Sequence, residues 1–171
     1  MKNRPAQPPE GEIYDWYHRG LELIEGGHAH AAAQILGHAR TQAPESTSIR
    51  EALARALFDA RRYDEAEAAF REQLTNKPDD DYARFGLGLA LSRRGEFVAA
   101  AEHLALAVTM RPDRSAYVDA LRQVRATLRA REERDAVRET QDDGSGVVGS
   151  GADGFGANGS GDDGSGMTAQ G

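Results

Sequence analysis

The sequence predicts an all-α solenoid of three helix pairs closed by a seventh, capping helix. Three observations carry that prediction. Pro44, Pro78 and Pro112 recur at intervals of 34 residues, and a fixed period of that size marks a repeat architecture. Within each period the apolar residues fall three, four and seven apart, as on an amphipathic helix. Beyond about Gln141 the composition changes abruptly to Gly, Ser and Asp, which bury too little apolar area to offset the entropy of ordering.

Taken in order, residues 1–12 are Pro-rich and polar and are expected to be disordered; they hold no apolar core of the kind a secretory signal needs. Three units follow, 13–46, 47–80 and 81–114. The third shows the pattern most plainly. Leu87, Gly88 and Leu91 share a face of its first helix, which Gly95 ends; Ala100, Leu104 and Ala107 share a face of its second, which stops before Pro112. Small residues at Gly88 and Ala100 are what two closely packed helices require. Proline cannot continue a helix and pushes the residue before it out of helical geometry. Asp79, Asp80, Asp113 and Ser115 are placed to cap the helices that come next by accepting free amide hydrogens. In residues 115–138, Val118, Leu121, Val124 and Leu128 form an apolar stripe, with Arg122, Arg125 and Arg129 on the other side. A terminal helix with a polar outer face is what closes a solenoid. Residues 139–171 are expected to be a disordered, solubilising tail.

Bulk properties narrow the function. The chain has 171 residues, 39% hydrophobic and 29% charged, enough for one ordinary domain. It contains no cysteine, which removes disulfides and thiolate metal sites. No run approaches the roughly 18 consecutive apolar residues of a membrane span, so no membrane partner is expected and a cytoplasmic location is the default. The net charge of −7 disfavours general affinity for nucleic acid, which depends on counterion release by Lys and Arg.

The in-phase pattern resembles the tetratricopeptide-repeat family. Its signature places are filled by Trp16, Gly20, Leu23, Gly27, Ala32, Leu36, Ala39 and Pro44 in the first unit. In the second they hold Leu53, Ala54, Leu57, Tyr63, Ala66, Phe70 and Pro78; in the third Leu87, Gly88, Leu91, Gly95, Phe97, Ala100, Leu104, Ala107 and Pro112. Three residues depart from it: Arg19 stands where leucine is usual, Arg61 where glycine is usual and Gln73 where alanine is usual. At Arg61 a non-glycine residue is expected to meet a positive φ.

The resemblance implies a protein-binding, non-catalytic module whose first helices line a concave groove. The side chains it directs there are Tyr14, Tyr17, Leu21 and Ile24, then Ser48, Glu51, Arg55, Phe58 and Asp59, then Tyr82, Phe85, Leu89, Ser92 and Arg93. An apolar patch of that size is rarely left uncovered, so a peptide or amphipathic helix of a partner protein is the expected occupant, with Arg55 and Arg93 or Glu51 and Asp59 setting its register. Two alternatives stand beside it: self-association through the same surface as a homo-oligomer, and occupation by the chain's own Val147, Val148 or Phe155. Family members that grip chaperone C-termini clamp a carboxylate with basic and Asn side chains. Here the matching places hold Tyr17, Leu21, Ala52, Tyr82 and Gly86, which cannot supply those charge-assisted bonds.

No metal and no cofactor are expected. His28 and His30, two apart on a helix, point to different faces, and no nucleophile elbow or phosphate loop is present. The Gly-Asp tail lacks the nonapeptide spacing of calcium-binding repeats. Arg122, Arg125 and Arg129 offer a rival reading as a binder of nucleic acid or acidic surfaces. Their neighbours Glu132, Glu133 and Asp135 favour a solvated helix face instead.

Overall fold

The computed structural model describes residues 10–144, and among them every regular element is an α-helix. The pairs are α1 (Glu10–Glu25) with α2 (Ala29–Gln42), α3 (Thr47–Asp59) with α4 (Tyr63–Asn76), and α5 (Asp81–Arg94) with α6 (Phe97–Met110); α7 (Ser115–Gly144) follows. The chain divides into two units at Glu133 and Arg134. The first holds the three pairs and the start of α7; in the second, residues 134–144 complete that helix, and its residues 134–141 are solvent-exposed. The first helix begins at Glu10, inside the segment expected to be disordered, and α7 runs past residue 138 to Gly144. Val147, Val148 and Phe155, weighed as groove occupants, lie outside the described residues.

The prolines end the second helices as expected. Each is preceded by a C-cap residue in nearly the same non-helical geometry: Ala43 (φ −132, ψ 69), Lys77 (φ −140, ψ 87) and Arg111 (φ −138, ψ 75). Caps for the first helices come from Ser46, which accepts from the Ile49 amide, and Asp80, which accepts from the Ala83 amide at 2.9 Å. Asp113 and Ser115 do not fill that role. Asp113 accepts from Arg111 at 3.0 Å, because those two side chains are near neighbours in the turn, and Ser115 is already the first residue of α7.

Within each pair the turn repeats at Gly27, Arg61 and Gly95, with φ of 75, 60 and 86. In all three, the next residue's amide reaches back five residues: His28 to the Leu23 carbonyl, Arg62 to Leu57 and Glu96 to Leu91, at 2.8–3.0 Å. This is the left-handed helix ending that glycine adopts without a Cβ penalty. Arg61 adopts it regardless, held by the two helices it joins. Arg61→Gly is therefore expected to stabilise the fold by about 1 kcal/mol, read as a rise in urea midpoint by circular dichroism.

The core follows the same period. Phe70, Leu36, Leu87, Leu91 and Leu104 are the largest fully buried side chains. Gly20 and Gly88 let Leu36 and Leu104 approach the backbone; a Cβ would come within 2.5 Å of Leu36 Cγ and 2.7 Å of Leu104 Cγ, respectively. Arg19 is exposed and bonded to Glu22, whereas its counterparts Leu53, Leu87 and Leu121 are buried. Among the described residues no helix precedes α1 to cover that position. Gln73 is buried where Ala39 and Ala107 stand in the other units, and its amide donates to the Arg50 carbonyl at 3.1 Å. Tyr117, Leu121 and Val124 carry α7 into the core. Val118, expected in that stripe, is only half-buried because the adjacent Tyr117 takes the inward place.

Candidate functional site

The face formed by α1, α3, α5 and the start of α7 carries the residues that the sequence directs to the groove. Six of them meet at one place. Arg55, Phe58, Asp59, Tyr82, Phe85 and Leu89 line a cavity of about 160 Å³ between α3 and α5, together with Phe70 and Gly86. Its floor depends on Gly86: a Cβ there would sit 2.3 Å from Phe70 Cζ, so only glycine lets the Phe70 ring reach this far. Phe70 also meets Tyr82 edge-on, with ring centroids 6.4 Å apart. The result is an aromatic hollow with one ion pair on its rim, Arg55 to Asp59 at 3.7 Å.

Across Leu89 a second cavity of about 210 Å³ lies between α5 and α7, lined by Ser92, Arg93, Phe97, Ala120, Gln123, Val124 and Thr127 as well as Leu89. Arg93 is exposed, and among the described residues it has no ion-pair partner. Sequence reasoning treated α7 as a cap alone and missed its contribution here. The signal was available, since Ala120, Gln123 and Thr127 stand one period beyond Gly86, Leu89 and Arg93.

The remaining predicted residues are placed differently. Ile24 does not face a groove: it is buried in the core cluster with Leu53 and Leu57, at the end of α1 where α3 packs alongside. Tyr17 and Leu21 are half-buried against that same cluster. Tyr14 is 62% exposed, its ring 4.1 Å from that of His18. The four therefore do not form one open stripe. Phe85 stacks on Tyr117, with centroids 4.3 Å apart and planes at 21°, so it serves the α5–α7 junction as well as the cavity. The Tyr117 hydroxyl donates to Asp81 at 2.9 Å, and burial, aided by that carboxylate, pushes its pKa up to about 12.

Glu51, half-buried on α3, has its pKa raised, chiefly by burial, with nearby Asp80 adding to the shift and Lys77 opposing it. The folded chain thus holds this proton more tightly than the unfolded chain. That contribution to stability is complete below the unfolded value and is lost as pH rises through the folded one. Glu51→Gln is expected to be more stable than wild type at neutral pH, with the gain vanishing as pH falls below the ordinary value of 4.5. Thermal unfolding across that window checks it.

Arg122, Arg125 and Arg129 are exposed on α7, with Arg122 bonded to Asp119 at 2.9 Å. They stand one period beyond Gly88, Leu91 and Gly95, the places where the third unit meets its second helix. Arginines there offer no apolar contact for a further helix, which suits an end of the stack. His28 and His30 are both exposed, and among the described residues no group of three metal-ligating side chains occurs. Nor, among them, is any helix long and apolar enough to cross a membrane.

The same helix-pair arrangement recurs in solved structures. The chain is similar to the first TPR domain of human RPAP3, with 15% identity, a TM-score of 0.65, and coverage of 71% of this chain and 96% of that one. It is similar to the first TPR of Spaghetti (RPAP3), which was solved bound to the HSP90 peptide SRMEEVD, at 14% identity, TM-score 0.64, and 71% and 97% coverage. MamA MSR-1 is similar at 21% identity, TM-score 0.61, and 71% and 70% coverage. At such identities the likeness is one of fold. No curated protein matches the sequence. The family model described as "Tetratricopeptide repeat" matches residues 17–81 and again residues 51–115, together more than half of the chain. With the turn at Gly27, Arg61 and Gly95 and the prolines all keeping one period, the chain belongs to the tetratricopeptide-repeat family.

Proposed function

We propose that this protein is an interaction module that holds a segment of a partner protein on the face of its first helices, as an adaptor or assembly factor. The observation that carries the reading is the aromatic hollow between α3 and α5. Phe58, Tyr82, Phe85 and Leu89 surround a space of about 160 Å³ at the surface, and filling such a place with one large apolar side chain gains ~1.5–3 kcal/mol. Concave, mostly apolar sites with a few polar groups on the rim are where ligands bind. The Spaghetti domain, alike in fold, was solved with a peptide bound. A carboxylate clamp is not part of this proposal, because Tyr17, Leu21, Ala52, Tyr82 and Gly86 stand at the places it would need.

The test is retention of partners from native lysate, compared between wild type and Tyr82→Glu. Tyr82 suits the test better than Phe85, whose stack on Tyr117 makes it a folding residue too. A protein kept by wild type and lost by a folded Tyr82→Glu, checked by circular dichroism, supports the reading; identical profiles reject it. A second reading is self-association through α6, rather than through the groove face as expected from the sequence; it is favoured by Val98 and Leu106, which are 65% and 47% exposed there. Sedimentation of wild type against Val98→Glu separates the two, since only self-association loses mass with that change.

A further inference from the structure

The two cavities on either side of Leu89 differ in charge, and that difference specifies a ligand. In the first, Arg55 and Asp59 pair at 3.7 Å and cancel. In the second, Arg93 is the one charged residue of the lining, and among the described residues it has no ion-pair partner. An occupant spanning both therefore meets Arg93 uncompensated beside an apolar anchor site, with the Arg131 guanidinium over the Phe97 ring at 4.3 Å. Leu89 and Arg93 are one helical turn apart on α5, which sets their side chains about 5–6 Å from each other. Side chains on one face recur about 6.8 Å apart in an extended peptide and about 5–6 Å apart three or four residues along a helix, so the form of the groove decides between them. A helical ligand needs a continuous groove for an apolar stripe some 100° wide. Here the apolar surface is instead split into two hollows of about 160 and 210 Å³ by the Leu89 side chain, a form that suits single side chains.

Resting on the groove reading above, we propose that the partner segment is extended and acidic, with a large apolar residue followed two positions later by Asp or Glu. The apolar side chain seats on Phe58, Tyr82, Phe85 and Leu89, and the carboxylate meets Arg93. The second hollow, with Phe97 and Val124 on its walls, receives a further side chain beyond the acid. Recognition comes from one anchor and one charge, without a clamp on a chain terminus, so an internal segment of the partner serves as well as its end.

The experiment is selection of a random short-peptide display library on the full chain at low salt, run in parallel on Arg93→Glu and Tyr82→Glu. Arg93 is exposed and, among the described residues, unpaired, so its replacement leaves the fold intact, and circular dichroism confirms this for both variants. Wild type is expected to enrich peptides with an apolar or aromatic anchor and an acidic residue two positions on, by roughly two- to fivefold over other residues there, the range of an exposed ion pair. On Arg93→Glu the preference at that position is expected to turn to Lys and Arg. An anchor enriched without the acid, an acid spaced three or four residues away as on a helix, or the same acidic preference on Arg93→Glu overturns this inference and leaves the groove reading standing. Absence of enrichment on wild type, or equal enrichment on Tyr82→Glu, overturns both.

Discussion

Phe70→Ala is expected to lower stability by about 3–5 kcal/mol, the usual loss when a fully buried aromatic is truncated. The size follows from its position. Phe70 is 2% exposed and among the largest fully buried side chains, and its ring lies against the Gly86 backbone of the next unit. It therefore fastens the second pair to the third. In a stack where each unit contacts only its neighbours, loss of an interface in the middle separates the parts on either side. Leu36 and Leu104 occupy the equivalent places in the other units, but their glycine contacts lie within their own pairs, at Gly20 and Gly88. Urea unfolding followed by circular dichroism is expected to show a lower midpoint for Phe70→Ala and a broader transition as the two halves uncouple. A loss below about 1 kcal/mol would mean that the ring does not join the units.

Gly86→Val is expected to cost about 1–3 kcal/mol through overpacking, even though replacing a helix-interior glycine ordinarily helps by up to about 1 kcal/mol. The clash decides the sign. An added Cβ meets three Phe70 ring atoms at 2.3, 2.4 and 2.8 Å, and that ring is almost wholly buried. Shortening the neighbour should relieve it, so Phe70→Leu with Gly86→Val is expected to be more stable than the sum of the two single losses predicts. Such a double-mutant cycle isolates the pair; strict additivity would show that valine is accommodated elsewhere. Because Gly86 and Phe70 both line the α3–α5 hollow, either change is also expected to weaken anything held there.

Much of this arrangement was legible in the sequence because the repeat fixes backbone geometry. The prolines set where second helices stop, and the place shared by Gly27, Arg61 and Gly95 predicted a left-handed residue even where it is arginine. The family resemblance directed Arg55, Phe58, Asp59, Tyr82, Phe85 and Leu89 to the groove face, and these meet at one cavity. What the pattern could not supply was the consequence of side-chain size. Ile24 shares a repeat position with Phe58 and Ser92, yet it is buried while Phe58 lines a hollow. Phe70 reads as an ordinary packing residue until its extra length over leucine carries it to Gly86. The Phe85–Tyr117 stack depends on an aromatic in α7 at a place held by Ile49 and Ala83 in the preceding units, so no consensus announces it.

An amide-resolved NMR titration of the full chain with a peptide selected on it locates the surface that holds a partner. Shift changes are expected to centre on Phe58, Tyr82, Phe85, Leu89 and Arg93 and to extend to Gln123 and Thr127 of α7. Changes confined to α2, α4 and α6, around Val98 and Leu106 for instance, or to Arg122, Arg125 and Arg129, would contradict that expectation and move the working surface to the other side of the solenoid or to its end.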